Sequence, residues 1–377
     1  MAGATLERKL MMARSTRVEF ALATRADDAE IRRLLRENPT SGQIALTFER
    51  EPDYFVDSDW PGSEKQTIIA REDGRVVCVG NCCLRQRFVN GKACRVGYLG
   101  GLRLDRRVAG RFDILRRGYE FFRALQSNSP ADYYFTSIAA DNQPARKFLE
   151  RGLPGMPTYE FAGEFVTALL PVKRQRRIQT ALKVETADFE EVLSFLGRQG
   201  RQYQLAEYWT AQELTFLSTL GLGVEQFQCV RVDGHVAAVA TIWDQRAFKQ
   251  TVIQGYARGL AFARPLLNLA GRLLSTPRLP PHGSTMAHAF VSHMAINMEK
   301  PEAFTALIAH LLESLAGRGI EFLTLGCAAT DPRLRLLRGK WRGREYLSRI
   351  YLVRWPECGG SVRELDARCL GPEVAAL

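Results

Sequence analysis

The order of extended and helical segments is the tightest constraint on this chain, because one order occurs twice. In the first half, 66–72 (QTIIARE) and 75–90 are β-branched, apolar runs joined by Asp73-Gly74. That dipeptide closes a two-residue hairpin because both of its residues tolerate positive φ. Asn90-Gly91 then leads into a third strand, 93–104 (ACRVGYLGGLRL). Residues 111–126 come next, with apolar side chains at Ile114, Leu115, Tyr119, Phe121, Phe122 and Leu125, a helical spacing. A strand at 133–139, a short helix at 143–151 with proline in its first turn, and a strand region at 157–170 complete the set.

The second half repeats the plan. Asp233-Gly234 joins 227–232 to 235–243, and strand 285–296, helix 301–317, strand 320–327 and strand 345–354 come after. A strand and helix over 248–275 and a proline-rich loop at 277–283 are inserted between them. Each half opens on a strand and a helix, 18–25 with 26–37 and 181–186 with 187–197, whereas 40–60 is less regular. Strands alternating with helices predict an α/β fold with a mixed sheet. A chain of 377 residues is also too long for one typical core. The expected division is a disordered basic tail over 1–17, a first domain over 18–170, a linker over 171–180, a second domain over 181–356 and a C-terminal tail over 357–377.

Composition narrows the function. No run approaches the ~18 apolar residues of a membrane helix, and the N-terminus lacks the apolar core of a secretory signal. A cytoplasmic protein with no membrane partner is expected. The net charge is +11, but arginine is spread over both halves, which argues against a nucleic-acid stripe. The same field suits a phosphate-rich small molecule. The run 171–179 (PVKRQRRIQ) reads as a solvated linker. None of the eight cysteines forms a C-x-x-C pair, so reduced thiols are expected rather than disulfides or metal ligands. His288 and His293 point to opposite faces of a regular strand, which argues against a metal site.

The most informative stretch joins strand to helix: Leu102-Arg103-Leu104-Asp105-Arg106-Arg107-Val108-Ala109-Gly110-Arg111-Phe112. A tight loop there leaves the first backbone N–H groups of the helix facing solvent, and with the helix dipole they suit a pyrophosphate. Gly110 permits close backbone approach. Further on, Asn142 ends a strand and opens Asn142-Gln143-Pro144-Ala145-Arg146-Lys147-Phe148-Leu149.

Together these stretches resemble the GNAT acetyltransferase superfamily, whose cofactor loop reads V-x-P-x-x-R-x-x-G-x-G/A. Leu102, Arg107 and Gly110 match V, R and G, while Leu104 replaces the proline and Phe112 the last small residue. Asn142, Ala145 and Phe148 fit the next motif, and Gly152 comes one residue early. The resemblance covers about 18–170 and implies two GNAT-like acyltransferase domains in tandem. The second is degenerate, since Asn297-Met298-Glu299-Lys300-Pro301 lacks the glycine loop.

The resemblance further implies that acetyl-CoA or another acyl-CoA is the co-substrate. Leu102, Arg103, Leu104, Arg107, Val108, Ala109, Gly110, Arg111, Phe112, Asn142 and Ala145 would hold it. Gly100-Gly101 would bulge the strand toward the thioester. The acceptor would be an amine of a small molecule or peptide, attacking directly, because no Cys or Ser stands in a nucleophile motif. Acylation needs a base, and residues 1–170 contain no histidine. Glu49, Glu51, Asp53 and Tyr98 are therefore the base candidates. The family's acid tyrosine is replaced by Leu149, which leaves Tyr159, Tyr133 and Tyr134 as substitutes. Two other functions fit the same features: a binding or sensor module without turnover, and a transfer-RNA-dependent aminoacyl transferase. The acceptor, the acyl length and the oligomeric state are not encoded in any motif.

Overall fold

The structure is a computed structural model that describes residues 18–40, 42–172, 178, 180–274 and 279–377. The tail 1–17 and most of the basic run 173–179 lie outside the described residues. The first half comprises β1 (Glu19–Leu22), α1 (Asp28–Glu37), β2 (Ile44–Glu49), β3 (Glu64–Glu72), β4 (Arg75–Val89), β5 (Lys92–Leu104), α2 (Phe112–Gln126), β6 (Tyr133–Ala139), α3 (Gln143–Leu149) and β7 (Thr158–Pro171). The second comprises β8 (Val184–Thr186), α4 (Phe189–Gly200), β9 (Ala206–Glu207), α5 (Ala211–Phe216), β10 (Gln228–Val232), β11 (His235–Trp243), β12 (Gln250–Tyr256), α6 (Arg258–Leu274), β13 (His288–Ile296), α7 (Pro301–Ser314), β14 (Phe322–Ala328), α8 (Pro332–Lys340) and β15 (Arg344–Arg354).

The expected hairpin turns form. Asp73, Asn90 and Asp233 have φ of +50°, +51° and +52°, and the glycine after each is also positive, the geometry that twists a tight hairpin correctly. The two halves do not make two sheets. One 13-stranded mixed sheet runs β1-β3-β4-β5-β6-β15-β7-β14-β13-β11-β10-β8, with β9 on β4. Strand β15, from the end of the second half, lies between β6 and β7 of the first. Strand β7 in turn pairs with β14 of the second. Each half thus completes the other's sheet, and the boundary near 171 marks no break in it: Val172 still donates to Glu321 O at 2.9 Å.

The element order repeats in detail. In each half a strand runs parallel to its partner for three residue pairs, Val96–Tyr98 beside Tyr133–Phe135 and His288–Phe290 beside Phe322–Thr324, and the ladder then ends. Both α3 and α8 open on a side-chain cap and a nearby proline, Asn142 with Pro144 and Asp331 with Pro332.

Several features differ from the sequence-based expectation. The stretch 40–60 contains β2, which pairs with β12 of the second half in a separate two-stranded sheet. Residues 357–377 dock along the molecule: Gln204 donates to Cys369 O through its backbone and to Asp366 through its side chain. Two of the β4 arginines bury themselves against the second half. Arg85 pairs with Glu213 at 2.8 Å, and Arg87 pairs with Glu207. All eight cysteines are unpaired, four of them buried.

Candidate active site

Beyond Tyr98 the strands β5 and β6 part, held at the fork by the Thr136 hydroxyl donating to Leu99 O at 2.7 Å. The expected bulge sits here. The register of β4 with β5 slips between Val79–Arg103 and Asn81–Gly100, and Gly101 has φ +63°. Packing enforces both glycines. A Cβ on Gly100 would stand 2.8 Å from the Tyr98 ring, and one on Gly101 only 2.4 Å from Asn81 Nδ2. Asn81 therefore fills the space beside the bulge.

Residues Leu102, Arg103 and Leu104 carry β5 into the loop. Leu102 is exposed, and Leu104 packs with buried Val108 and Ile114 to anchor the loop to the core. Asp105 then organises the turn. Its buried carboxylate accepts the Arg107 N–H at 3.0 Å and pairs with the Arg107 guanidinium. That pairing holds Asp105 down at about 2. Most loop amides are consumed internally rather than facing solvent, which corrects the sequence-based picture. Val108 donates to Asp105 O, Ala109 to Arg106 O, Arg111 to Val108 O and Phe112 to Gly110 O. The arginines are likewise engaged, Arg107 with Asp105 and Arg111 with Glu72 and Asp113. Gly110 adopts φ +85°, and a Cβ on it would meet nothing within 4 Å. Its backbone therefore faces open space, and Arg106 of the same loop is exposed.

The end of the loop meets α3 where Phe112, the first residue of α2, stacks on Phe148 with ring centroids 4.7 Å apart and planes 17° from parallel. Asn142 caps α3, its Oδ1 accepting the Ala145 N–H at 3.3 Å. Loop and α3 are thus brought together across the fork of β5 and β6.

The acid and base candidates scatter. Glu51 is tied to Arg32 and Arg36, and Asp53 to Arg25. The Tyr159 hydroxyl bonds Tyr119 in the layer beneath α2, and burial pushes it well up. Tyr134 bonds Gln126, and Tyr133 bonds Glu364. Tyr98 lies on β5 at the fork, its hydroxyl raised by burial. Glu49 differs from the other carboxylates near it. It is buried, has no cationic partner among the described residues, and accepts from the Thr47 hydroxyl at 2.5 Å and from Gln254 Nε2 at 3.4 Å. Gln254 belongs to β12, so the second half reaches this carboxylate directly. On the same strand Phe48 lies under Arg103, guanidinium to ring centre 5.9 Å, which sets β2 beside the end of β5.

The corresponding fork of the second half is filled. Strand β13 bulges at His293, φ +54°, where its register with β11 slips. This bulge breaks the alternation that would set His288 and His293 on opposite faces. The segment around Val374–Ala376 packs against β13 and β14 there, and a Cβ on Gly326 would lie 2.2 Å from Val374. A partly enclosed cavity lies in this half, lined by Trp209, Glu207, His293, Arg333 and Glu373 among others. His293 is fully buried, its ring tilted 32° against Trp209 with centroids 4.0 Å apart, and its Nε2 has no partner. Burial, reinforced by Arg85, lowers it to about 3. No grouping of three metal-ligating side chains occurs among the described residues. No described helix is long and apolar enough to cross a membrane.

No protein-family model and no curated protein sequence matches this chain. Solved structures do. N-myristoyltransferase of Saccharomyces cerevisiae with bound myristoyl-CoA is similar over 95% of this chain and 89% of its own, at 12% identity and a TM-score of 0.59. A tandem GNAT protein from the clavulanic acid biosynthesis pathway covers 90% of this chain and 98% of its own, at 12% identity and TM-score 0.53. A GCN5-related N-acetyltransferase from Sphaerobacter thermophilus covers 89% and 95%, at 12% identity and TM-score 0.54. Over nearly the whole chain the fold is therefore that of the GNAT superfamily, with two GNAT-like domains in tandem.

Proposed function

We propose that this chain is an N-acyltransferase that moves an acyl group from acyl-CoA to an amine, with one cofactor site, in the first domain. The observation that carries this reading is the fork of β5 and β6, with its bulge at Gly101 and the turn at Gly110 leading into α2. Parting of the strands leaves the β6-facing edge of β5 beyond Leu99 without a strand partner, and a pantetheine amide chain can bond there. The open side of Gly110 and the charge of Arg106 suit a pyrophosphate. Domains 18–170 and 181–356 divide the work, the first holding cofactor and the second walling the acceptor site through β12 on β2.

In this reading Glu49 accepts the proton that the amine loses as the new N–C bond forms and the C–S bond breaks. Its position supports the role: it is buried, unpaired with any cation among the described residues, and oriented by Thr47 and Gln254. Tyr98, kept protonated by burial, is the donor candidate for the departing thiolate. The likeness to an N-myristoyltransferase supports testing long acyl chains as well as acetyl.

A binding or sensor role is the second reading, favoured by Leu149 in the acid position and by the internally bonded loop. Calorimetric titration with acyl-CoA from acetyl to myristoyl tests the common part. Saturable binding by at least one is expected, and none at any chain length rejects the cofactor site. Acyl transfer to an amine panel then separates enzyme from sensor.

A further inference from the structure

Helix α6 is packed inside out. An ordinary surface helix turns its apolar stripe to the core and its polar residues to water. Here the polar residues face the protein: Arg264 Nε and Asn268 Nδ2 both donate to Leu279 O at 3.0 Å, and Asn268 accepts the Leu279 N–H at 2.7 Å. Phe262, Leu266 and Leu269, spaced four and three residues apart on one face, are 86%, 72% and 58% exposed, and neighbouring Leu267 is 46% exposed. Scattered exposed apolar residues need no explanation, but a contiguous stripe on one helix does.

Charge selects the occupant. No aspartate or glutamate occurs between Asp244 and Glu299, while exposed Arg258 stands one turn before Phe262 on the same face of the helix. A second copy docking through this face would bring two acid-free cationic segments together, with no carboxylate in either to pair Arg258. A bilayer surface bearing anionic headgroups meets both demands, taking the Phe and Leu side chains into its hydrocarbon boundary and drawing the cationic segment to its phosphates. The protein's net charge of +11 adds to the same attraction. We propose that α6 is an interfacial helix that docks the protein on an anionic lipid surface through Phe262, Leu266 and Leu269. The proposal stands independently of the acyltransferase reading.

Co-sedimentation of the full chain with vesicles tests it, comparing pure phosphatidylcholine with phosphatidylcholine containing about 30% phosphatidylglycerol. Partitioning at least about tenfold stronger onto the anionic vesicles is expected, weakened by high salt. The double variant Phe262→Ser, Leu266→Ser should lose at least about tenfold of it with an unchanged thermal midpoint, since neither side chain is buried. Separately, Leu266→Trp should show a blue-shifted emission, quenched by brominated lipid, on anionic vesicles. Equal binding to both vesicle types, no binding, or a wild-type dimer that the double variant turns into monomer would each overturn the proposal, the last in favour of a second copy.

Discussion

Glu373 holds the backbone of His293: its Oε2 accepts the His293 N–H at 2.9 Å, and its Oε1 takes the Ser292 hydroxyl. His293 is the bulged residue of β13, in the position that Gly101 occupies on β5. The C-terminal segment therefore bonds the second fork at the point where, in the proposed reading, the first would offer its backbone to a cofactor. A slot already filled by the chain's own residues has no room for pantetheine. Titration with a tight-binding acyl-CoA analogue should accordingly end near one ligand per chain. A value near two would show that the C-terminal segment leaves its slot.

The same contact gives stability a pH signature. Burial, with Glu207 beside it, pushes the Glu373 carboxyl up to about 8. The folded state then keeps a proton that the unfolded chain releases near 4.5. That stabilisation is full below about 4.5 and is lost as pH rises toward 8. His293 works on the acid side: with its folded value lowered from 6.5 to about 3, stability is lost as pH falls from 6.5 toward 3. Glu373→Gln mimics the protonated carboxyl. It should gain stability relative to wild type between pH 5 and pH 8, on the order of 2 kcal/mol, in thermal melts across that range. A wild-type-minus-variant difference that does not change with pH would mean Glu373 is ionised in the fold throughout.

Much of this architecture is legible in the sequence because it is local. Asp-Gly and Asn-Gly dipeptides specify hairpins, the spacing of Ile114, Leu115 and Phe122 specifies α2, and Asn142 before Pro144 specifies the start of α3. What stays hidden is non-local. Nothing in REYLSRIYLVR says that β15 will insert between β6 and β7, because its partners lie about two hundred residues away. Strand β2 gains its regularity only from β12. The candidate site divides in the same way. The glycine loop and the bulge can be read from Gly110 and Gly100-Gly101, but the Asp105 ties that consume the loop amides cannot be read from spacing alone. An aspartate two residues before an arginine at a strand end is a signal for such a turn, though a faint one among so many arginines.

The loop makes a direct prediction. Gly110→Asp adds a negative charge where a pyrophosphate is expected and places an L-residue at φ +85°. Backbone strain there costs about 1–2 kcal/mol of stability, which a domain of this size tolerates. Acyl-CoA affinity should fall at least about tenfold, or ~1.4 kcal/mol, by calorimetry. Unchanged affinity in a folded variant would move the pyrophosphate away from this turn.

Arg87 joins the two halves through buried charge. It is fully buried on β4, pairs with Glu207 and donates to Leu205 O at 2.9 Å. Arg87→Met would leave Glu207 buried next to Glu373, without its cation. The expected loss is about 3–5 kcal/mol in denaturant unfolding. Removing both partners, with Glu207→Gln added, should recover part of it, since the cost lies in the orphaned charge. No recovery would mean that the guanidinium's packing against the Phe135 ring, 5.0 Å away, carries the effect instead.

The last prediction concerns Glu49. Among the carboxylates of this stretch it lacks an arginine, whereas Glu51, Asp53 and Asp57 all have one. A carboxylate held by a guanidinium is already engaged, whereas Glu49 is bonded only by the neutral Thr47 and Gln254 side chains. Glu49→Gln preserves the shape and leaves Thr47 and Gln254 able to bond the side-chain oxygen, so the fold should survive. The proposed cofactor contacts lie on β5, the loop and α3, so acyl-CoA affinity should stay within about twofold, well under 1 kcal/mol. Acyl transfer should fall by about 10²–10⁴ in kcat, and the loss should shrink as pH rises and more of the amine arrives unprotonated. A loss that is the same at every pH, together with weakened acyl-CoA binding, would assign Glu49 to holding β2 against β12. Full activity would rule Glu49 out as the base.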